Sequence, residues 1–407
     1  MKRVLLICVL VTFGARVSSP AQPASQALAI VGETVYTMSG APISNGVVLV
    51  RDGKIERVGP SIAVPGGYRT INARVVTPGL IDAHTVVGLA GYLNQTHDQD
   101  QIERSAAIQP ELRAIDAYNP RDELVAWLRG FGVTTLHTGH APAALVSGQT
   151  MIVKTRGDTV DEAVVRPEAM IAVTLGTAGL GQDNKSPGTR PKEIAMLRTE
   201  LIKAQEYDRK LSSASTDSKP ARDLRLEMLA RVLRKEMPLL VTANLSRDIL
   251  AALRVANEFD IRIVLDGAAE AYLLTNQIKT AGVPVIVHPT MSRANGDAEN
   301  MSFETAAILR KAGIPVALQG GFESYVPKAR VVLFEAAIAA ANGLSREDAL
   351  ATVTIDAARI LGIADRVGSL EAGKDADLAL FDGDPFEYTS HVTHVLIDGN
   401  VVSEEVR

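Results

Sequence analysis

Apolar and polar residues alternate in short segments at both ends of the chain. The segments with this pattern are 29–37, 46–59, 68–76, 376–385 and 392–402. Glycine and proline turns separate them, and a period of two is typical of strands with one buried face. Because both ends carry such strands, we predict one small β-sandwich domain assembled from residues 28–78 and 366–407.

The middle of the chain follows a different pattern, in which short apolar runs alternate with amphipathic stretches. The apolar runs, typical of buried strands, lie at 133–137, 238–242, 261–265, 283–287 and 314–318. Helices are predicted at 120–130 and 246–259, and a helix with an exposed connecting loop within 182–223. Repeated strand-then-helix units predict an α/β fold, a TIM-like (β/α)8 barrel over residues 79–365. A doubly wound sheet is the alternative, although no glycine-rich phosphate loop follows the first strand.

Composition and charge exclude some classes of binding partner. The chain has 407 residues, of which 46% are hydrophobic and 22% charged, as in soluble globular proteins. The net charge is −5, so no basic field attracts nucleic acid or anionic lipid. We therefore expect small molecules or proteins as partners.

The first residues have the pattern of a secretory signal peptide. Lys2 and Arg3 precede an apolar run, and small residues follow it. A membrane anchor is the alternative, but the run is short for a bilayer span. We predict that residues 1–22 form the signal, with cleavage between about Ser18 and Ala27, and that the mature protein is periplasmic or secreted without a membrane span. Its removal takes away Cys8, the single cysteine, which excludes disulfides and cysteine chemistry.

One strand carries a motif with metal-binding chemistry. The segment 75–84 is apolar and ends at His84, with Val86 two positions later. A His-x-His pair at a strand end places two imidazoles on the same side, where both bind one metal ion. Valine has no lone pair, so this strand offers a metal at most His84.

Three segments together resemble the amidohydrolase superfamily, in particular its imidazolonepropionase-like and cyclic-imidase-like members. They are Thr-Pro-Gly-Leu-Ile-Asp-Ala-His at 77–84, Gly-Phe-Gly-Val-Thr-Thr at 130–135, and the closing run 356–380. The resemblance covers nearly all of the mature chain. It implies a barrel that holds one or two divalent ions at the C-terminal ends of its strands, where the metal activates a water molecule for hydrolysis.

Most positions where the resemblance implies a metal ligand carry other residues. The departures are Val86, Thr242, Asn244 and Gly267, and a glycine for the catalytic aspartate in the run 319–321. No lysine lies between Lys154 and Lys185 to serve as a bridging carboxylated lysine. The resemblance therefore implies a degenerate metal site with His84 as its vestige. We expect no cofactor, and a single divalent metal such as zinc is the alternative.

Polar residues near the predicted strand ends are the candidate pocket residues. They are His84, Asp82, Thr242, Asn244, Asp266, Glu270, His288 and Glu323. A relocated metal site would combine His84 and His288 with Asp266 or Glu323. The alternative role of Asp82 is to support its strand end, and that of Glu270 is to begin the next helix. Asp375 and Asp377 are expected to shape turns.

These observations predict an exported pseudoenzyme of the amidohydrolase superfamily. It would use its pocket to bind a small-molecule ligand, or would pair as a non-catalytic subunit with a catalytically intact relative or with itself. The alternative is a metal-dependent hydrolase that cleaves a C–N bond in a cyclic amide, imide or dipeptide-like substrate through a remodelled site. The sequence leaves open whether the chain is an enzyme.

Overall fold

A computed structural model describes residues 27–181, 185–213, 219–323 and 330–407. The predicted signal peptide and Cys8 lie outside these ranges, so export stays a prediction. Within them, no helix has the length and apolar character that a transmembrane span requires.

Strands and helices alternate along the chain, which confirms the mixed α/β class. The strands are β1 (Leu28–Val35), β2 (Ile43–Arg51), β3 (Lys54–Pro60), β4 (Arg69–Pro78), β5 (Leu80–Thr85), β6 (Val133–Thr138), β7 (Val146–Gln149), β8 (Met151–Lys154), β9 (Val164–Arg166), β10 (Ile171–Thr174), β11 (Leu239–Thr242), β12 (Ile263–Gly267), β13 (Val285–Val287), β14 (Val316–Leu318), β15 (Leu378–Phe381), β16 (Val392–Ile397) and β17 (Asn400–Ser403). The helices are α1 (Glu123–Gly130), α2 (Val160–Ala163), α3 (Arg190–Ser213), α4 (Leu224–Leu233), α5 (Ser246–Phe259), α6 (Thr275–Ala281), α7 (Thr305–Lys311), α8 (Val332–Ala341), α9 (Arg346–Thr352) and α10 (Ile355–Leu361).

The two ends of the chain meet in one seven-stranded sheet. Its strand order is β17-β16-β15-β4-β1-β2-β3. The junction is the antiparallel pair β4–β15, in which Pro78 lies opposite Leu378 and Val75 opposite Phe381. All seven strands belong to a single sheet, so the two-layered sandwich and the domain boundaries stay predictions.

The middle of the chain forms two further sheets. Strands β10 to β14 are parallel neighbours in chain order, and β7 pairs antiparallel with β10. The second sheet has the order β5-β6-β8-β9, with β5 and β6 parallel. The ends of β5 and β14 meet at a parallel bridge between Thr85 and Gly321. The ladders thus form two sheets, and closure into one eight-stranded barrel stays a prediction.

The period of two along these strands positions the polar residues at their ends. One apolar cluster draws on six strands and includes Ile81, Ile152, Leu240, Val264, Ile286 and Ala317. Two residues further on, the same faces of β11 to β14 carry a second row, which consists of Thr242, Asp266, His288 and Gln319. These polar side chains therefore form the next layer above the core.

A buried lysine joins the seven-stranded sheet to β8. Lys154 is 2% exposed, and its Nζ lies 2.8 Å from Asp375 and 3.0 Å from Asp377. Asp398 also pairs with it. Desolvation disfavours the charged amine, but the carboxylates outweigh this effect and raise the pKa of Lys154. The sequence predicts that Asp375 and Asp377 shape turns. Both lie around this cation, and Asp377 also accepts a 2.8 Å hydrogen bond from the backbone N–H of Asp398, at the turn between β16 and β17.

Candidate active-site cavity

A cavity of about 540 Å³ opens at the ends of the middle strands. Six of the eight predicted pocket residues line it: His84, Thr242, Asn244, Asp266, His288 and Glu323. Val86 and Phe322 contribute apolar wall. His84 joins the row of strand-end residues because the β5–β6 register shifts between Asp82 and Thr85.

Asp266 is the centre of a hydrogen-bond network on the cavity floor. Its Oδ1 lies 2.9 Å from His84 Nδ1 and accepts a 2.9 Å hydrogen bond from Gln319 Nε2. Its Oδ2 accepts a 2.6 Å hydrogen bond from the Thr242 hydroxyl. Because a carboxylate only accepts, His84 carries its proton on Nδ1. Both oxygens of Asp266 are therefore engaged.

His84 and Asp266 each favour the charged form of the other. Burial disfavours the imidazolium, but the neighbouring carboxylate outweighs it and raises the pKa of His84. Burial also opposes ionisation of Asp266, yet His84 and the other donors lower the pKa of that carboxyl. The remaining nitrogen of His84, Nε2, is buried and has no hydrogen-bond partner among the described residues.

Asp82 does not line the cavity and lies beneath it. Its Oδ1 accepts hydrogen bonds of 3.2 Å from the backbone N–H of His84 and 2.8 Å from that of Gly320. Burial raises the pKa of Asp82 to about 7. This geometry fits the alternative considered from the sequence, in which Asp82 supports the strand end.

Glu270 also lies outside the cavity lining. It accepts hydrogen bonds from the Ser246 backbone N–H, at 2.6 Å, and from the Ser246 hydroxyl. It therefore satisfies the first turn of α5, where backbone N–H groups have no helical partner. Its other oxygen accepts a 2.8 Å hydrogen bond from Asn300.

His288 and Glu323 share the cavity but have partners of their own. His288 Nδ1 lies 3.3 Å from the carbonyl oxygen of Pro289, and burial lowers the pKa of His288. Glu323 pairs with Arg330, a buried guanidinium that also donates a 3.1 Å hydrogen bond to the Gly320 carbonyl. The carboxylate of Glu323 is therefore already paired with the guanidinium of Arg330.

His137 has a structural role. Its Nδ1 lies 2.7 Å from the Ala83 carbonyl oxygen, and its Nε2 lies 2.6 Å from the Thr150 hydroxyl. Burial lowers the pKa of His137 to about 3. Its ring is 5.7 Å from that of His84, so it supports the floor of the cavity from below.

The described side chains that line the cavity do not form a ready ligand set for a divalent metal ion. In the described ranges, no group of three or more His, Cys, Asp or Glu is arranged to hold one. Two glycines at or within the segments where the resemblance implies a ligand are also closely surrounded. A Cβ on Gly321 would lie 2.3 Å from Cγ of Pro289, and one on Gly267 would lie 2.8 Å from Oδ1 of Asn244. Both glycines have positive φ, +67° and +71°, which disfavours other residues.

Two residues of the site were not predicted from the sequence. Gln319 bonds to Asp266, and Arg330 neutralises Glu323. Gln319 continues the period of β14, two positions after Ala317, which is a signal that the strand pattern contains. Arg330 follows β14 in the chain, and nothing in its sequence context indicates burial.

Comparisons with known proteins agree with the sequence resemblance. A sequence model of the amidohydrolase family matches residues 309–403. An imidazolonepropionase from Brucella anthropi is 26% identical over 400 residues, covering 84% of this chain and 87% of that protein. Amidohydrolase tasK from Hapsidospora irregularis is 27% identical over 398 residues, and the match covers 87% of this chain but only 39% of that protein.

Solved structures extend the likeness to the whole fold. An amidohydrolase from Thermotoga maritima MSB8 superimposes with a TM-score of 0.88 at 31% identity, covering 93% of this chain and all of that one. A prolidase complexed with N-methylphosphonate-L-proline matches with a TM-score of 0.60 at 16% identity, which shows a shared fold alone. The chain belongs to the amidohydrolase superfamily and is imidazolonepropionase-like.

Proposed function

We propose that this protein binds a small molecule in the strand-end cavity without the divalent metal of its superfamily. In this proposal it is a ligand-binding pseudoenzyme or a non-catalytic subunit. The observation that carries it is the Asp266 network, in which His84, Thr242 and Gln319 occupy both carboxylate oxygens. The close surroundings of Gly267 and Gly321, where a Cβ would meet neighbouring atoms, also support the proposal.

We propose in addition that the two middle sheets are parts of one (β/α)8 barrel. Support comes from the apolar cluster that contains residues from six strands, and from the bridge between Thr85 and Gly321. In such a barrel, ligands bind at the C-terminal ends of the strands, which is where the cavity lies.

The chemistry of the lining indicates what the cavity offers a ligand. His84 Nε2 has no partner among the described residues, so a ligand that reaches the floor would satisfy it by a hydrogen bond. A buried polar atom left unsatisfied costs about 1–3 kcal/mol, which favours an occupant with a polar group at that point. Val86 and Phe322 add apolar contact.

The direct test is a binding and turnover screen on the mature chain. Hydantoin, succinimide and the dipeptide glycyl-proline are suitable probes, with and without added Zn²⁺. We expect native mass spectrometry to detect binding of a cavity ligand that His84→Ala weakens, with no hydrolysis of any probe. Zinc-dependent hydrolysis that is lost in His84→Ala would overturn the proposal. His97→Ala, which alters an exposed histidine, is the matched control.

The alternative function is metal-dependent hydrolysis of a C–N bond through a remodelled site. One observation favours it: His84, His288, Asp266 and Glu323 all line the same cavity. At present Asp266 pairs with His84 and Glu323 pairs with Arg330, and a metal ion would compete with these partners for the two carboxylates. Zinc-dependent turnover in the same screen would select this alternative.

We also propose that the protein pairs with a relative or with a second copy of itself, and that it is exported. Pairing with a catalytically intact relative or with a second copy is tested by light scattering and by pull-down from the native cell, where a monomer without an amidohydrolase partner would contradict it. Export to the periplasm or beyond is tested by fractionation and by the mass of the mature N-terminus. An intact residue Met1 in the purified protein would contradict signal cleavage.

A further inference from the structure

A long loop forms one wall of the strand-end cavity. Residues 288–304 connect β13 to α7, and their single short turn of 3-10 helix is Gly296–Ala298. Loops of more than about 12–15 residues are uncommon and are often lids or binding loops. The lining residues from this loop are His288, Pro289, Ser292, Arg293, Asn295, Gly296, Asp297 and Ala298. We name residues 288–304 the lid loop.

The lid loop is tied to the protein near both of its ends. At its start, Glu335 of α8 accepts a 2.6 Å hydrogen bond from the backbone N–H of Thr290. Near its end, Asn300 donates a 2.8 Å hydrogen bond to Glu270. Glu335 is 1% exposed, so the first of these ties lies in the protein interior.

The middle of the lid loop is held by Asp297. Its carboxylate accepts hydrogen bonds of 2.6 Å from the Thr177 backbone N–H and 2.9 Å from the Thr177 hydroxyl. Arg190, at the start of α3, adds contacts of 3.2 and 3.3 Å through Nη2. Thr177 follows β10 and also lines the cavity. These bonds therefore connect the lid loop to a second segment of the cavity lining.

Arg190 is itself anchored to the protein body. Its Nε donates to both oxygens of Asp248, at 3.0 and 3.2 Å, and Asp248 is 3% exposed on α5. The two carboxylates converge on Gly176, where a Cβ would lie 2.6 Å from Asp297 Oδ2 and 2.9 Å from Asp248 Oδ2. A guanidinium with its donors in a fixed fork is suited to bridging two such groups.

We propose that the lid loop is a lid over the strand-end cavity and that Arg190 is its latch. The inference rests on the proposed function, since a lid has a role only where a ligand enters. With the latch closed, Asp297 is held against Thr177. With it open, the loop moves about its two tied ends and exposes the cavity floor. Loops that control ligand entry belong to the parts of a fold with low local stability, and the Arg190–Asp297 pair is partly solvent-exposed, at 27% and 21% of the side chains.

A buried thiol inside the cavity measures opening directly. Thr174 is 2% exposed and lines the cavity at the end of β10. The reporter protein carries Thr174→Cys together with Cys8→Ser, so that the introduced thiol is its single cysteine. The rate of its reaction with an aromatic disulfide reagent then reports how often the lid opens, whether or not any ligand binds.

We expect Arg190→Ala and Asp297→Asn each to raise this labelling rate at least fivefold, with Arg190→Lys in between. Hydrogen exchange in residues 288–304 should accelerate in parallel. The matched control is Arg198→Ala, two turns further along α3, where the arginine pairs with Glu258 instead. It should leave the rate unchanged.

Labelling rates and lid-loop exchange that stay at the parent level in both Arg190→Ala and Asp297→Asn would overturn the latch. Thermal unfolding of each variant separates lid opening from general loss of structure, because a latch variant should label faster without a matching fall in Tm. Asp297→Asn, at the rim, provides the test if Arg190→Ala fails to fold. A cavity that binds no ligand would remove the proposed function and leave this result unchanged.

Discussion

His84 Nδ1 lies 2.9 Å from Asp266 Oδ1, and both side chains are almost fully buried, with 5% and 3% of their surface exposed. The two residues come from β5 and β12, which are not neighbours in either sheet. In this pair the protein supplies both charges of the cavity floor. This contact engages the Asp266 carboxylate, whereas His84 keeps Nε2 without a partner among the described residues.

The first expectation concerns the strength of this pair. Breaking a buried ion pair by removal of one partner costs about 3–5 kcal/mol, because the other charge stays buried. We expect Asp266→Asn and His84→Ala each to lower the free energy of unfolding by several kcal/mol, and the double variant to lose less than the sum, with a coupling of about 1–3 kcal/mol. Urea unfolding measures all four proteins. Strictly additive losses would show that the two residues act independently.

The second expectation concerns the closed position at Gly321. The resemblance implies an aspartate within the run 319–321, and an aspartate at Gly321 would place its Cβ 2.3 Å from Cγ of Pro289, with φ at +67°. We expect Gly321→Asp to cost about 2–4 kcal/mol of stability and to confer no zinc binding. Gly67→Asp is the matched control, because Gly67 has φ +89° and open space around it. It should cost only about 1 kcal/mol. A stable Gly321→Asp protein that binds zinc would refute the steric argument.

The third expectation concerns the Lys154 cluster. Lys154→Met would leave Asp375, Asp377 and Asp398 with one cation fewer in a buried site, and we expect a loss of about 3–5 kcal/mol. The control is Lys54→Met. Lys54 also pairs with Asp375, at 2.5 Å, but its side chain is 52% exposed, so its loss should cost less than about 1 kcal/mol. Equal Tm values for the two variants would contradict a structural role for the buried lysine.

The fourth expectation is a pH dependence that follows from Asp377. Burial raises the pKa of Asp377 to about 6, above the roughly 3.9 of an unfolded aspartate. The folded state therefore binds this proton more tightly, and the stability that it contributes is present at low pH and is lost as the pH rises from about 4 to about 6. The slope is at most about 1.4 kcal/mol per pH unit for one group.

Urea unfolding at pH 4, 5, 6 and 7 checks this sign. Asp377→Asn should remove the decline that this group causes, whereas Asp158→Asn, at a side chain that is 77% exposed, should leave the profile of the wild type. The same decline in wild type and Asp377→Asn would show that the carboxyl does not titrate in this window.

Local patterns in the sequence predict many of the residues that line the cavity. Thr242, Asp266 and His288 were predicted because they end apolar runs, and the period of two does place them on one face above the core. The sequence does not show that Glu270, unlike these three residues, lies outside the cavity lining. Its neighbours resemble a strand end, but its position after Gly267 lets it reach Ser246 at the start of α5 instead.

Local sequence patterns do not predict which charged residues pair across long distances in the chain. Lys154 meets Asp377 across 223 positions, and Arg190 meets Asp297 across 107. Charged residues in loops carry no periodic signal that indicates their partner, since only the packed fold brings them together. For this reason the sequence indicates neither the pairing of Asp377 with Lys154 nor the contact of Arg190 with Asp297.

We expect the cavity floor to work without a metal ion. Elemental mass spectrometry on mature protein, purified without chelator and without a His tag, tests it directly beside His84→Ala and His97→Ala. We expect less than about a tenth of an equivalent of any divalent metal in all three proteins. A stoichiometric ion in the wild type that is lost in His84→Ala and retained in His97→Ala would contradict the claim and establish the site as a metal centre.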